Sequence, residues 1–599
     1  MAPASEQTTD ASEATLLTLE ELATANNAAA PTRLERLGHL IRTLFEPLMT
    51  TLRFVKLVVI FLPCIVMLPV TFFGPIKPGS DGERVLRVYW YQLVARQMER
   101  AGPSFIKLAQ WAASRVDIFP HELCRCLSRL HAETKPHAFH HTRRAVEKAF
   151  CGKPLELLFE WFEETPIGAG AIAQVYRAKF RPNVLPPLGV DPSTGRPLPP
   201  PDVVAIKVIH PGIAPRIERD LRIMSMFAGL IHMLPGMQWL SLPEEVQVFG
   251  EMMRSQLDMR CEAKHLDRFK HDFRYRYTVA FPRPVTCVAK RDVLVEEYIY
   301  AVPMRKFLEA QGTVYDRIMS RIGIDSFLHM LILDNFVHAD LHPGNILVRF
   351  ARPTTRDLIA RMWSAVTQGP PPPRRPDESA VRRLEAVESD LEAWKRELEL
   401  LFAEGYRPRL VFLDAGLVAE LSDQNRQNFI DLFKAIVTFD GYLAGQLMVE
   451  RCRTPDLAVD ANLFAIKMQD VVRRVRDNTF SLEKVSIGDI LLEVMNMVRA
   501  HHVKLEGDFT NVVLSLLIME GIGRQLDPGL DLTTVSLATL RDLGRLQAGR
   551  RVLVGLRDIG AADGLLLTAW LWLEAKEWVS ISWDGREVIH DCDLYMPDV

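Results

Sequence analysis

Residues 337–348 read VHADLHPGNILV. An acid, Asp340, stands five positions ahead of an amide, Asn345, and Pro343-Gly344 between them ends any helix there. The segment is a loop that holds a carboxylate and an amide oxygen at a set spacing, then runs into apolar residues. His338 and His342 have the i,i+4 spacing of a zinc helix, but the Pro-Gly pair removes that helix and with it the zinc reading.

Three other pieces lie around this loop. Downstream, 411–418 is VFLDAGLV, an apolar strand followed by Asp414-Ala415-Gly416. Upstream, 203–209 is VVAIKVI, a β-branched run that reads as a buried strand, with Lys207 inside it. A lysine there is costly unless an anion meets it. Further upstream, Ile167-Gly168-Ala169-Gly170-Ala171-Ile172-Ala173-Gln174-Val175 is a run of small residues that lets backbone N–H groups approach phosphate oxygens. In this order the pieces match the protein-kinase set G-x-G-x-x-G-x-V (Ala173 at the third glycine), V-A-I-K, H-x-D-L-x-x-x-N and D-F-G (Ala415 for Phe). The expected roles follow. Lys207 pairs the α- and β-phosphates of ATP, Asp340 is catalytic base or water-positioning group, and Asn345 and Asp414 hold Mg²⁺. The backbone near Glu297–Ile299, after the strand expected at 292–300, should meet adenine. Ala339 replaces the arginine that meets an activation-loop phosphate, so no such switch is expected between Asp414 and Gln427.

Composition is that of an ordinary folded protein: 48% of residues are hydrophobic and 25% charged, which excludes a disordered or fibrous chain. The net charge of −3 gives no general reason to bind nucleic acid. Eight scattered cysteines without a CxxC pair argue against a disulfide framework or zinc knuckle. Residues 1–30 hold acids but no Lys or Arg, and read as a disordered leader. Residues 31–56 interleave Arg33, Arg36, Arg42, Arg53 and Lys56 with leucines, as a basic amphipathic helix would. Residues 57–76, LVVIFLPCIVMLPVTFFGPI, carry no charge. Twenty helical residues span a hydrocarbon core of about 30 Å, so this is a candidate transmembrane segment, with Pro63 and Pro69 as arguments for a buried hairpin.

Apolar spacing predicts helices over about 82–160 and 215–272, an extended segment opening near Thr165, and mostly helix after 305. Pro-rich stretches at 181–202 and 369–376 read as loop and extended chain. Val381, Leu384, Leu391, Trp394, Leu398 and Leu401 line up as one amphipathic helix.

With FIKLAQWAASRVDIFP (105–120), LPGMQWLSLPEEV (234–246) and VKLEGDFTNVVLSLLIMEGIGRQLDP (503–528), the motifs resemble the aarF/UbiB family of atypical kinases, in particular its mitochondrial type-2 branch, over about 85–528. The resemblance implies an α+β, bilobal, protein-kinase-like fold with a helical amino-terminal extension and a helix-rich C-lobe. The corresponding division is 1–30 leader, 31–56 basic segment, 57–76 membrane segment, 82–164 extension, 165–300 N-lobe, 301–545 C-lobe with an insertion at 351–408, and 546–599 tail. It implies that Lys107 and Gln110 match a K-x-G-Q motif lying over the active site, with Ala109 in place of Gly. Gln256 departs from the family's E-x-D, leaving Asp258 as a substitute partner for Lys107. Glu262 falls where the family's helix glutamate pairs with the strand lysine. The family binds ATP and Mg²⁺, has weak ATPase activity, and supports coenzyme Q biosynthesis or distribution at mitochondrial or bacterial membranes. Expected here are the inner mitochondrial membrane, a lipid or quinone-precursor substrate, and protein partners of a coenzyme Q assembly. A nucleotide-gated scaffold and a lipid or small-molecule kinase are the alternatives. A soluble protein kinase ranks last, because the KLAQ segment would obstruct a peptide.

Overall fold

The computed structural model describes residues 33–530 except 77–82, 116–117, 131–135, 189–197, 236–237, 275, 277, 353–377, 438–439, 453–454, 481–486, 504 and 506. The acidic leader, the stretch 369–376 and the tail 546–599 lie outside the described residues.

The chain enters on α1 (Arg33–Met67), which continues through Pro47 and Pro63. The basic and apolar segments, expected as two, are one helix. It ends where Pro69 opens a 3₁₀ turn over Leu68–Phe72. Its residues from Phe45 to the end of that turn are long and apolar enough to cross a membrane, and only 17% of the most apolar window is buried. Then come α2 (Val85–Ala101), α3 (Pro103–Ser114), which carries Lys107 and Gln110, and α4 (Phe139–Ala149).

The first sheet follows: β1 (Phe159–Phe162), β2 (Gly168–Ala169), β3 (Ala173–Phe180), β4 (Val203–Ile209) and, after three helices, β6 (Val293–Glu297). Its order is β1-β3-β4-β6, with β2 hairpinned onto β3. Sequence periodicity placed helix to about 160 and extended chain from 165, whereas β1 lies at 159–162. Four residues with a register shift at Phe159/Trp161 are too short for alternation to show. Val204, Ile206, Val208, Val293 and Val295 share one face and form a core with Val146 and Ala149 of α4 and with Phe150, which follows it. The other face carries Ala205, Lys207, Leu294 and Glu296, because successive strand residues alternate sides. The helices in between are α5 (Ile213–His232), α6 (Leu242–Gln256) and α7 (Met259–Asp272).

A second sheet, β5 (Val279–Ala280), β10 (Arg407–Phe412), β9 (Ile346–Ala351) and β7 (Val302–Pro303), underlies the loop of 337–345. The β9–β10 ladder runs from Arg407–Ala351 at one end to Phe412–Ile346 at the other. It sets Asn345 beside Leu413, whose N–H donates to Asn345 O at 2.8 Å. The 351–408 insertion leaves from the far end, about 20 Å away at strand rise. A two-strand ladder, β8 (Val337–His338) with β11 (Val418–Ala419), zips the two loops together from the other side. Downstream of β7, α8 (Asp316–Leu328) leads to the first loop through a widened π turn at His329–Asp334.

In the insertion, two helices replace the expected one: α9 (Glu378–Ala386) and α10 (Leu391–Ala403). Asp390 ends the continuity, because its carboxylate accepts from the Glu392 and Ala393 N–H groups as the N-cap of α10. Their shared apolar stripe, Val381, Leu384, Trp394, Leu398 and Leu401, is buried in the main core. The chain then adds α11 (Asp423–Val437), α12 (Gly441–Glu450), α13 (Ala461–Phe480), α14 (Ile487–Ala500) and α15 (Gly507–Leu526). α15 packs on α8, where Ser320 Oγ donates to Gly523 O.

Candidate active site

Lys207 projects from the middle of β4, with Val175 of β3 and Leu294 of β6 as its register partners. Its Nζ donates to both carboxylate oxygens of Glu262 at 2.9 Å and to Asp414 Oδ1 at 3.0 Å. Glu262 is 5% exposed. Burial alone would lower the lysine's pKa, but Asp414 and Glu262 outweigh it and hold the ammonium charged. Burial would raise Asp414; Lys207, and after it Lys107, pull its carboxyl well below the usual range. Burial pushes Glu262 up against the pull of Lys207.

Asp414 has φ +55°, a left-handed conformation uncommon for a residue with a side chain. The chain turns back on itself there and brings the Gly416 N–H to within 3.4 Å of Asp414 Oδ1. A Cβ at Gly416 would sit 3.0 Å from that oxygen, so any larger residue there would have to push the Asp414 carboxylate aside. α7 holds this turn at two points: Glu262 through Lys207, and His265, whose Nδ1 donates to Ala415 O at 2.8 Å.

The 337–345 loop is tied to the same turn. His338 is fully buried, its Nε2 donating to Leu413 O at 2.9 Å and its Nδ1 accepting the Asp340 N–H at 3.3 Å. Burial lowers its pKa and keeps it neutral. Both ring nitrogens are used within the loops, which disposes of a zinc role. Asn345 donates its amide N–H to Asp340 O at 3.0 Å, leaving its side-chain oxygen as the group for a cation. With Asp414 this leaves two oxygen donors that could hold a cation. Mg²⁺ favours such a set, completing its octahedron with water and phosphate oxygens.

The 167–175 run forms a β2–β3 hairpin: Ile167 N–H donates to Val175 O and Gly170 N–H to Ala173 O, both at 2.8 Å. Its tip is no open flap. Ala171 and Ile172 are buried, and Ile172 shares the main core with Ala109 of α3. His210, after β4, braces the tip, its backbone N–H donating to Ile172 O and its Nε2 to Gly170 O, both at 2.9 Å. At the strand end, the N–H groups of Glu297 and Tyr298 are taken by Arg283 O and Val203 O. No hydrogen bond from the Ile299 N–H occurs among the described residues.

Lys107 of α3 lies close enough to help hold the Asp414 carboxyl below the usual range. Asp258 does not serve as its partner. The Asp258 carboxylate accepts from Arg260 Nε at 2.8 Å and from the Arg260 N–H at 3.0 Å, and it caps α7. Gln110 shares α3 with Lys107 and has no ion pair or hydrogen bond among the described residues. Sequence reasoning missed His265, Glu296 and the His137–His210 pair described below.

A cationic side chain flanked by two carboxylates, beneath a small-residue hairpin and beside an Asp/Asn loop, defines a kinase-like nucleotide site. The sequence comparisons agree. Residues 129–184 and 198–360 match the ABC1 atypical kinase-like domain, and 468–531 match the UbiB helical domain. A mitochondrial ABC1 family protein of Saccharomyces cerevisiae is 39% identical over 549 residues, 90% of this chain and 80% of that one. One of Schizosaccharomyces pombe is 38% identical over 563 residues, 92% and 78% of the two chains. A probable serine/threonine-protein kinase of Dictyostelium discoideum is 30% identical over 502 residues, 82% and 68%. The chain belongs to the ABC1/UbiB family of atypical kinases.

Proposed function

We propose that this chain is a membrane-associated atypical kinase or ATPase of the type-2 branch. It would act with Mg-ATP at the inner mitochondrial membrane and support the handling of coenzyme Q or its precursors. The observation that carries the reading is the Lys207 bridge to Glu262 and Asp414, next to the Asp340–Asn345 loop. Lys207 meets the α/β-phosphates and Glu262 orients it. The hairpin at 167–175 covers the phosphates, and Glu297–Ile299 takes the adenine edge. Asn345 and Asp414 would hold Mg²⁺, which supplies charge neutralisation at the phosphates when bound. Asp340, whose carboxylate has no side-chain partner among the described residues, accepts the proton of the attacking hydroxyl or orients a water. The mitochondrial relatives and the exposed apolar stripe of α1 support the location.

The test is turnover of the purified chain in liposomes, with and without quinone-precursor analogues, followed by mass spectrometry of the products. Asp414→Asn should abolish Mg-ATP turnover; unchanged hydrolysis rejects the metal assignment. One observation favours a nucleotide-gated scaffold instead: Lys107 bears on the same carboxylate a metal would use. An Asp340→Ala chain that still binds ATP and fully restores the cellular phenotype would establish the scaffold reading.

A further inference from the structure

Glu296 stands in β6 opposite Ala205, two residues from the Leu294–Lys207 pair. It therefore shares the cleft-facing side of the sheet with Lys207, and it immediately precedes the Glu297–Ile299 turn. Ala205, small and directly across, leaves room beside it. Glu296 Oε2 is buried with no hydrogen-bond partner. A buried carboxyl oxygen left unpaired is costly, and the mechanism above gives this one no task. Resting on the nucleotide reading, its place is the base end of the cleft, as Lys207 marks the phosphate end.

We propose that the Glu296 carboxyl group reads the purine. Its carbonyl oxygen would accept from the 6-amino group of adenine and its hydroxyl would donate to N7, so that adenine is selected over guanine nucleotides. The backbone turn takes the other edge of the base, which leaves N7 and the second amino hydrogen facing the sheet. A neutral carboxylic acid carries one acceptor and one donor side by side, as the amide of Asn or Gln does when it pairs with adenine N6 and N7. Guanine presents two acceptors, O6 and N7, and leaves the carbonyl oxygen of Glu296 opposed to O6.

The pairing needs the protonated acid. Burial raises the Glu296 pKa to about 8, with Glu262 and Asp414 pushing the same way and Lys207 opposing. Lys207 comes from β4, Glu262 from α7 and Asp414 from the end of β10; Glu297 is the neighbour on the strand. The segment bridged to Glu296 through Pro284 brings Arg283, and Cys287 follows in the same segment. α4 covers only the opposite face. Triphosphate charge in the cleft would favour the neutral form further.

The test is equilibrium binding of Mg-ATP and Mg-GTP to the full chain in nanodiscs, by displacement of a fluorescent ATP analogue, for wild type, Glu296→Gln and Glu296→Met. Wild type and Glu296→Gln should prefer ATP at pH 7. Glu296→Met should lose about tenfold or more of the ATP:GTP ratio, the size of one bidentate base contact. Above pH 8, ATP affinity of wild type should fall while Glu296→Gln stays flat. This second arm decides the matter if Glu296→Met does not fold. A Met variant with the wild-type ratio, or a wild-type pH profile that overlays that of Gln, overturns the proposal while leaving nucleotide binding intact. A wild-type chain that binds neither nucleotide removes the nucleotide reading as well.

Discussion

Lys207 is a cation between Ile206 and Val208, both buried. Such a position is tolerable only with counter-charge, which Glu262 and Asp414 supply. Lys207→Met would leave Glu262 buried and unpaired, and breaking a buried pair from one side costs about 3–5 kcal/mol. Adding Glu262→Leu should recover much of that loss, since the two residues act as a unit. Urea unfolding of both variants checks this; a single variant as stable as wild type would show that the pair contributes nothing. Lys207 and Asp414 were legible because spacing encodes them, as it does the Asp340–Asn345 loop: Lys207 in a β-branched run, Asp414 after an apolar one; Glu262 came only from the family resemblance. Glu296 was not legible. In VLVEEY nothing local distinguishes the two acids, and only the register with Ala205 decides which one faces the cleft.

At the scale of elements, the 167–175 hairpin is held by a hydrogen-bonded chain whose members lie far apart in sequence. His210 Nε2 faces a carbonyl, Gly170 O, so it carries the hydrogen and Nδ1 accepts. His137 Nδ1, 2.7 Å away, must then donate, and its Nε2 accepts from the Thr142 hydroxyl at 2.9 Å. Thr142 is bonded to Tyr176, and Gln174 grips the His137 backbone through its N–H at 3.0 Å. Burial, with His210 adding to it, lowers the His137 pKa to about 4. The folded value is below the unfolded one of about 6.5, so the unfolded chain binds more protons between them. Stability from this link is complete above about pH 6.5 and is lost as pH falls towards 4. His137→Phe should melt lower than wild type at pH 7, and the two melting temperatures should converge towards pH 4.5; parallel curves would remove His137 from the titration. No local pattern announces this link, because His137 falls inside a stretch that reads as helix and His210 just past a strand. The α9–α10 break was hidden for the opposite reason: its apolar spacing continues in phase across Asp390, and only the cap distinguishes two helices from one.

For the whole molecule, the proposed membrane association turns on which side of α1 the fold leaves open. Its inner side is fastened: Arg53 Nε donates to Asp220 of α5 at 2.6 Å, Ser104 Oγ to the same carboxylate at 2.6 Å, and Trp90 Nε1 to Cys64 O at 2.8 Å. Leu57 and Cys64 are buried on that side. Its outer side shows Val55, Val59, Leu62, Ile65 and Val66 to the exterior, and the turn beyond adds Phe72 and Phe73, both about two-thirds exposed. Phe54 stacks on Phe227 of α5 with ring centroids 5.9 Å apart, and α5 continues the apolar surface through Leu230 and Met233. A helix docked in this way offers lipid a stripe, and α5 widens that stripe; a free-standing span would offer its full circumference. The charge-free run at 57–76 was visible in the sequence, but the fastening was not, since Arg53 finds Asp220 only through the fold. Membrane association through the stripe predicts that Val59→Ser, Leu62→Ser, Phe72→Ser and Phe73→Ser combined will abolish co-flotation with cardiolipin-containing liposomes. These side chains are exposed, so the melting temperature should hardly change. Asp220→Ala should do the reverse, destabilising the chain by about 3–5 kcal/mol through the stranded Arg53 while the folded fraction still floats. Flotation that survives the fourfold serine variant would place the lipid contact elsewhere on the molecule.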